Sequence, residues 1–362
     1  MRVKSFVFSG NHYEMGFQQG QTFRELIQRG FRELLDSKLV KKNKPRLLPK
    51  SLFAALAKRR ADKLLRSDIF GYYPKQAERL RGVADGAAVS VSTILFVQML
   101  EMLFGSCTTI GFSPELTSIG ETIIAKNFDY LNSSEPYNLT CETKPNEGYK
   151  TLGCKMMPLP GILDGMNEHG LTVTYNLARS ADKPKFFAPT SIMLQEMLET
   201  CKDAEEAVGF LIQAKRGGHD AVLTLADSEE SVRTVEISSN HASVRELENG
   251  RVINTNHYQT AEMQSIEIPY SESSELPEYF SSPYRFRRVE ELLKDIVNVD
   301  ERLLVTVLRD HGADNTPSKL TICRHEEETG TLRSLIFYPK KRIMKVLYGH
   351  PCRYKYRKIK FI

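Results

Sequence analysis

The sequence has few cysteines for its length, and no two of them have the C-x-x-C spacing of a redox or metal motif. Its six cysteines are scattered: Cys107, Cys141, Cys154, Cys201, Cys323 and Cys352. Disulfide frameworks are typical of much shorter secreted chains, so we expect free thiols and a reducing, cytoplasmic setting. An H-E-x-x-H motif and clustered Cys/His spacing are also missing. A zinc hydrolase therefore has no support, and we expect neither a metal nor another cofactor.

Long apolar runs and a strong net charge are missing too. No stretch approaches the roughly eighteen apolar residues of a membrane-spanning helix, and the first residues lack the apolar segment of a signal peptide. The net charge of +5 is small for 362 residues, and the basic segments are typical of solvated faces. We therefore expect no membrane and no nucleic-acid partner.

The composition is that of a globular protein. The chain is 41% hydrophobic and 26% charged, enough for a large core, and its length allows one large domain or two. Amphipathic segments predict a mostly helical region over residues 1–106, whose helices need a partner surface to cover. Further along, residues 132–149 are predicted as a loop and residues 320–325 as a strand, in which Cys323 is a packing residue, as is Cys352 near the end.

A predicted β-hairpin begins with a cysteine. Cys107 follows a helical segment and opens an apolar, β-branched stretch, and a turn at 118–120 leads into a strand that ends near Asp129. Antiparallel partners lie about 5 Å apart, so the hairpin brings Asp129 back towards Cys107. A thiol beside a charged partner is a candidate nucleophile. A buried, inert cysteine is the alternative.

Three motifs carry a resemblance to a known family. They are Cys107-Thr108 followed by Asn127-x-Asp129, the segment R-G-V-A-D-G at 81–86, and G-M-N-E-H-G-L at 165–171. They resemble the cysteine branch of the N-terminal-nucleophile (Ntn) hydrolases, most specifically the group of choloylglycine hydrolase, penicillin V acylase and acyl-coenzyme A:6-aminopenicillanate acyltransferase (peptidase family C45). The resemblance implies an α+β fold, with a four-layer αββα sandwich over residues 107–362 and a helical pro-region over residues 1–106.

The resemblance also implies self-processing. Members of this family cut the peptide bond before the nucleophile, which here joins Ser106 to Cys107. The freed α-amino group then serves as the general base for the thiol on the same residue, and its pKa of about 8 suits that role. Asp129 is expected to orient the amine. Lys126 stands where the bile-salt and penicillin V branch usually carries arginine, which keeps a cation but loses the planar fork and argues against bile-salt specificity.

Further site residues are implied by position. Asn176 and Asn256 match residues that donate to the oxyanion in the family, each worth roughly 3 kcal/mol by analogy with other oxyanion donors. Asn254 faces the same side as Asn256 by strand period and is the reserve choice. The family's active-site arginine corresponds to Arg285 or Arg288, one helical turn apart, and Arg288 fits the pattern better.

The expected function is cleavage or transfer of an acyl group at a linear amide through an acyl-cysteine intermediate. A small N-acyl amino acid, peptide-like conjugate or N-acyl amine is the expected substrate. An N-acyltransferase that uses an acyl thioester is one alternative, and an inactive binding protein of the same fold is another. The intact residues Cys107, Asp129, Asn176 and Asn256 argue against the second. The sequence leaves homo-oligomer formation open.

Overall fold

Two facing β-sheets organise the structure, which is a computed structural model. It describes residues 5–37, 40–41, 44–99, 105–156, 159–184, 186–216, 220–268 and 281–362. Numbered along the chain, the strands are β1 (Ser5–Gly10), β2 (Ser106–Phe112), β3 (Ile123–Leu131), β4 (Asn138–Pro145), β5 (Thr151–Met156), β6 (Asp164–Asn167), β7 (Thr172–Ala178), β8 (Asp220–Ala226), β9 (Val232–Ile237), β10 (Ala242–Arg245), β11 (Arg251–Asn254), β12 (Thr329–Tyr338), β13 (Ile343–Tyr348) and β14 (Arg357–Lys360).

The helices lie mainly in the first hundred residues and in two later groups. They are α1 (His12–Thr22), α2 (Arg24–Asp36), α3 (Lys50–Tyr72), α4 (Pro74–Ala87), α5 (Val91–Gln98), α6 (Thr190–Thr200), α7 (Ala204–Gln213), α8 (Ala261–Gln264), α9 (Ser282–Leu293) and α10 (Glu301–Leu308). Side-chain caps define several starts. For example, Asn11 and Glu14 form a capping box at α1. At α9 the start is marked differently, by Pro283 in the first turn.

The strands form an eight-stranded and a six-stranded sheet. Their orders are β1-β4-β5-β6-β7-β8-β9-β10 and β11-β2-β3-β12-β13-β14. Neighbouring strands are antiparallel except β1 and β4, which pair in parallel at one edge. Both sheets are therefore antiparallel apart from this one parallel pair.

The order of the layers is given by the clusters of apolar side chains that pack between them. Apolar side chains of both sheets meet between them, such as Ile124 and Phe337 of the six-stranded sheet with Leu152 of the other. Helices α9 and α10 cover the outer face of the six-stranded sheet, and α1–α7 cover that of the eight-stranded sheet. The result is the α+β, four-layer αββα sandwich that the resemblance implied for residues 107–362, here with residues before Cys107 included.

The N-terminal helices belong to this sandwich. Helices α1 and α4 cross with their backbones almost in contact, because each carries two glycines four residues apart. A Cβ atom on Gly16 would lie 2.2 Å from the carbonyl oxygen of Arg79, and one on Gly82 would lie 2.1 Å from that of Tyr13. Strand β1 completes the edge of the eight-stranded sheet. Residues before Cys107 thus supply both an edge strand and a helical layer.

The described helices were also compared with the requirements of a membrane span. None of them alone is long and apolar enough to cross a bilayer. Only α4 and α5 together reach the length and composition, and they meet at a bend of 113°. Both contribute many buried residues to the helical layer.

Candidate active site

Cys107 lies on β2, a central strand of the six-stranded sheet, between β11 and β3. Thr109, two residues further along, donates from Oγ1 to Oδ1 of Asn176 in the other sheet at 2.7 Å. Because side chains alternate along a strand, Cys107 and Thr109 both face the space between the sheets. Cys107 is buried, with 1% of its surface exposed. Ser106, the residue before it, pairs with Asp129 across the ladder.

The backbone nitrogen of Cys107 is held by a side chain from the loop after β11. It donates to Oδ1 of Asn256 at 2.8 Å. The same oxygen accepts from Nη2 of Arg285 at 2.8 Å, while Nδ2 of Asn256 donates to the carbonyl of Leu177. Arg285 also donates from Nη1 to the carbonyl of Cys107 and to Thr108 Oγ1. Asn256 and Arg285 thus fix the backbone on both sides of the Cys107 Cα atom.

Asp129 is a buried carboxylate at the end of this ladder. Its Oδ1 accepts from Thr331 Oγ1 at 2.7 Å, and its Oδ2 is enclosed without a hydrogen-bond partner among the described residues. Burial raises the pKa of Asp129, although the nearby guanidinium groups of Arg285 and Arg324 oppose that shift. The site therefore contains an acceptor oxygen with unused capacity in the neighbourhood of Cys107.

The thiol itself is protonated in the uncut chain. Burial raises the pKa of Cys107 to about 11. Lys126 and Arg285 act against burial, whereas the carboxylates Asp164 and Asp129 act with it. A thiol with this pKa is a poor nucleophile at neutral pH, so a base is needed to activate it.

A buried cluster of three charged residues lies beside the thiol. Lys126 Nζ donates to Asp164 Oδ1 and to the carbonyl of Tyr175, and Arg333 Nη2 donates to Asp164 Oδ2 at 2.7 Å. Burial would raise the pKa of Asp164, but the two cations outweigh it and the pKa lies below its ordinary value. The Arg333 guanidinium also lies 4.0 Å from the ring centre of Phe128. Two cations and one carboxylate leave a net positive charge near Cys107.

The asparagines predicted from sequence occupy different environments. Asn176 bridges the sheets, since it accepts from Thr109 and donates from Nδ2 to the carbonyl of Asn254 at 3.1 Å. The Asn254 side chain instead binds residues of β8, β9 and β10, namely Thr224, Thr234 and Arg245. The structure therefore brings Asn256, and not the reserve choice Asn254, to Cys107.

The two candidate arginines also separate. Arg285 is fully buried and contacts Cys107, whereas Arg288 forms an ion pair with Asp310 at 2.8 Å and another with Glu291 at 3.2 Å. These carboxylates draw the Arg288 side chain to a partly exposed position on α9, away from Cys107. The structure therefore brings Arg285, and not the preferred Arg288, to Cys107, while the active-site role of either residue stays a prediction.

Sequence reasoning missed several residues of this region. Asp164 and Arg333 form the charged cluster, and Thr331 binds Asp129 together with the backbone of Arg324. The available signal was the presence of charged residues inside otherwise apolar strand sequences. A buried charge is rarely tolerated without a partner, so each of them indicated a partner elsewhere in the chain.

The sequence matches one protein family and is similar to several solved structures. The family described as acyl-coenzyme A:6-aminopenicillanic acid acyl-transferase matches residues 117–353, more than half of the chain but beginning after Cys107. Among solved structures, the chain is similar to the N-acylethanolamine-hydrolyzing acid amidase (NAAA) ortholog of Caenorhabditis elegans, with 19% identity and a TM-score of 0.45 over 65% of this chain and 93% of that one. A variant of the conjugated bile acid hydrolase from Clostridium perfringens shows 17% identity and a TM-score of 0.44 over 70% and 97%. Penicillin V acylase from Agrobacterium tumefaciens shows 15% identity and a TM-score of 0.43 over 67% and 83%. No curated protein matches the sequence.

Proposed function

Because the chain belongs to the acyl-coenzyme A:6-aminopenicillanic acid acyl-transferase family, we propose that it cleaves or transfers an acyl group at a linear amide bond through an acyl thioester on Cys107. The family match begins after this residue, so its role rests on the geometry. The observation that carries the proposal is the 2.8 Å hydrogen bond from the Cys107 nitrogen to Asn256. It holds in place the atom that becomes an α-amino group once the preceding peptide bond is cut.

The first step is self-processing. The Cys107 thiol attacks the carbonyl carbon of Ser106, the acyl group moves from nitrogen to sulfur, and water hydrolyses the resulting thioester. The products are a helical pro-region, residues 1–106, and a catalytic domain, residues 107–362. Both parts stay packed, because α1–α5 cover the eight-stranded sheet and β1 pairs with β4 at its edge.

The processed residue then carries its own base. An α-amino group has a pKa of about 8, so its neutral form takes the thiol proton near neutral pH. The thiolate attacks the substrate carbonyl, and the ammonium returns the proton to the departing amine. The buried carboxylate of Asp129 and the Asn256 oxygen accept from this amine and orient it. Water or a second amine resolves the acyl-cysteine.

Two neighbouring cations favour the thiolate, against the carboxylates of Asp164 and Asp129. Lys126 and Arg285 both lower the pKa of Cys107, and Arg285 in addition fixes the Asn256 side chain. Oxyanion donation by Asn176 and Asn256 stays a prediction, since both Nδ2 atoms donate to backbone carbonyls in the uncut chain. Either amide would have to exchange that acceptor for the oxyanion.

The substrate class follows from the walls near the thiol. Phe128 pairs with Cys107 in the ladder, and its ring stacks on that of Tyr130 at 5.8 Å. An apolar acyl group suits such a surface, and the substrates we propose are small N-acyl amines and N-acyl amino acids. The cytoplasmic location and the absence of a nucleic-acid partner stay predictions.

The test is a product assay on processed protein. Wild type and Cys107→Ala are incubated with a panel of N-acyl amines and N-acyl amino acids, and separately with an acyl-coenzyme A thioester plus an amine acceptor. Mass spectrometry follows the products and any acyl adduct on the 107–362 fragment. Products from the wild type alone support the proposal, and the arm that yields them separates hydrolysis from transfer. Equal turnover by Cys107→Ala, or no product and no adduct in either arm, would overturn it.

A further inference from the structure

A second cluster of reactive side chains lies near the carboxyl end of the described chain. One potential ligand atom from each of His311, Cys323, His325 and Cys352 falls within 4.8 Å of the other three. Nε2 of His325 lies 3.3 Å from the sulfur of Cys323 and 3.3 Å from that of Cys352. Two imidazoles and two thiols therefore converge on one point.

The separations fit a metal centre. Zinc binds thiolate sulfur at about 2.3 Å and imidazole nitrogen at about 2.0–2.1 Å in a tetrahedron. Those bond lengths place neighbouring ligand atoms roughly 3.3–3.8 Å apart. Both sulfur–nitrogen distances of 3.3 Å fall within this range, and the remaining pairs, all within 4.8 Å, would contract around an ion.

The fold holds the loops that carry these residues. His311 follows α10, where Asp310 accepts from the backbone nitrogen of Gly312 at 2.9 Å and from Arg288. The carbonyl of Asp310 accepts from the backbone nitrogen of Cys323 at 3.0 Å. The pair formed by Arg288 and Asp310 thus fixes the loop that brings His311 and Cys323 together.

The other two ligands are supported in a similar way. The ring of His350 stacks on that of His325 at 3.8 Å, which sets the plane of the imidazole. Arg309, at the end of α10, donates to the carbonyl of Pro351 at 2.8 Å. This bond ties the turn before Cys352 to the loop that holds His311.

A second observation points to a ligand. Nε2 of His311 is enclosed and has no hydrogen-bond partner among the described residues. An unsatisfied buried polar atom destabilises the fold, and coordination to a metal ion would satisfy it. A disulfide between Cys323 and Cys352 would leave this nitrogen, and the imidazole of His325, without a role.

We propose that His311, Cys323, His325 and Cys352 bind one zinc ion in a closed structural site. Two thiolates and two imidazoles favour zinc over magnesium or calcium, which prefer oxygen ligands. Four protein ligands leave no open position, so the ion stabilises the fold and takes no part in the acyl transfer. Two thiolates neutralise its charge, which suits a site where Cys323 is fully buried.

The site also connects to Asp129. Arg324 lies between two of the ligands, and its backbone nitrogen donates to Thr331 Oγ1 at 2.9 Å. The same hydroxyl donates to Asp129 Oδ1 at 2.7 Å. The ion would thereby help to position the carboxylate. This effect on catalysis rests on the proposed function, whereas binding of zinc does not.

The test measures metal directly on the full chain. Protein expressed with added zinc and purified under reducing conditions is analysed by elemental mass spectrometry, with about one zinc ion expected per chain. Chelation should lower the melting temperature and zinc should restore it. Cobalt in place of zinc should give the visible absorption of a tetrahedral thiolate complex. Zinc far below one ion per chain, a different metal, or a Cys323–Cys352 disulfide in the reduced preparation would overturn the proposal.

Variants identify the ligands. Cys352→Ala and His311→Ala should each lose most of the zinc, while Cys201→Ala, a buried cysteine at the end of α6, should keep it. Equal zinc in all three would overturn the assignment. If a ligand variant does not fold, the wild-type zinc content and cobalt spectrum still decide the question. These readouts need no substrate, so failure of the acyl-transfer proposal leaves them unaffected.

Discussion

The Oδ1 atom of Asn256 lies 2.8 Å from the backbone nitrogen of Cys107, although the two residues are 149 positions apart. Strand β11 pairs with β2, so the chain leaving β11 passes the start of β2 and places Asn256 there. Arg285 binds the same oxygen from α9. Side chains from two distant parts of the chain thus hold the nitrogen that the proposed processing would release.

Self-processing is the first prediction. If Cys107 cuts the bond before it, freshly purified wild type should contain fragments 1–106 and 107–362, and Cys107→Ala should contain one chain. Cys154→Ala removes another buried thiol next to the charged cluster and should leave processing unchanged. Intact-mass measurement checks all three proteins. A wild type that turns over substrate as a single uncut chain would contradict the prediction.

The second prediction compares the effects on kcat of replacing Asn256 and its neighbour Asn254. Asn256→Ala removes the acceptor for the Cys107 nitrogen and a potential oxyanion donor, so kcat of the processed enzyme should fall roughly 10²–10³-fold. Asn254→Ala is the matched control, since Asn254 is equally buried but binds Thr224 and Thr234. It should cost stability and leave kcat within about threefold. Steady-state kinetics and thermal melts check both variants.

The same kinetic test applies to Asn176, the other predicted oxyanion donor. Its amide bridges Thr109 and the carbonyl of Asn254, so Asn176→Ala tests whether the bridge is catalytic or structural. As an oxyanion donor it should lower kcat roughly 10²–10³-fold with unaltered circular dichroism. A change of less than about threefold would leave Asn176 as a link between the two sheets.

The third prediction compares two arginines on α9. Arg285→Lys keeps the charge but loses the planar fork that binds Asn256 and the Cys107 carbonyl at once. Processing should slow roughly tenfold or more, because a misplaced nitrogen and thiol lose their orientation. Arg288→Lys changes a partly exposed pair with Asp310, whose effect should stay within about 1 kcal/mol of stability. The rate of fragment formation should therefore match that of the wild type.

Equal processing by Arg285→Lys and wild type would show that the guanidinium fork is not needed for orientation. Slowed processing in Arg288→Lys alone would return the active-site role to that residue. The measurement is a time course of intact mass after synthesis, with thermal melts to confirm that both variants fold.

Much of the fold could be predicted from sequence because period and turn residues are local signals. The hairpin from Cys107 to Asp129 is one example, and its register places Ser106 opposite Asp129. The loop predicted over 132–149 was wrong over β4, since its polar side chains find partners inside the sandwich. Thr140, for instance, shares a hydrogen bond with Tyr348. Such partners lie far away in sequence and leave no local pattern.

Contacts between residues distant in sequence also explain why the prediction failed around the two sites. Residues 320–325 were predicted as a strand, yet they form an irregular segment with a single isolated bridge at His325. In this segment Nε2 of His325 lies 3.3 Å from the sulfur of Cys323 and 3.3 Å from that of Cys352. Likewise, the choice between Arg285 and Arg288 depended on Asp310, which is distant in sequence and draws Arg288 aside. Spacing along the chain could not reveal either arrangement.

The last prediction concerns Asp129 and begins with stability. Burial raises the pKa of Asp129 in the uncut chain. A carboxyl with a raised folded pKa contributes stability that is present below its unfolded pKa of about 3.9 and is lost as pH rises through the folded value. The asparagine of Asp129→Asn does not ionise and can still accept from Thr331. In a Cys107→Ala background, Asp129→Asn should therefore raise the melting temperature at neutral pH, and the gain should shrink as pH falls towards 4.

In the processed enzyme, Asp129→Asn should lower activity, whereas it raises stability in the uncut chain. A carboxylate beside the Cys107 amine favours its charged form and raises its pKa, while the reaction needs the neutral amine. Asp129→Asn should shift the ascending limb of kcat/KM to lower pH and reduce the maximum, because charge and orientation are lost together. The profile reports the coupled thiol and amine and is measured on fragments of confirmed mass. If Asp129→Asn has the rate and the pH profile of the wild type, the role of Asp129 is limited to its hydrogen bond with Thr331. A carboxylate that orients the base would, when neutralised, shift the ascending limb of the kcat/KM profile.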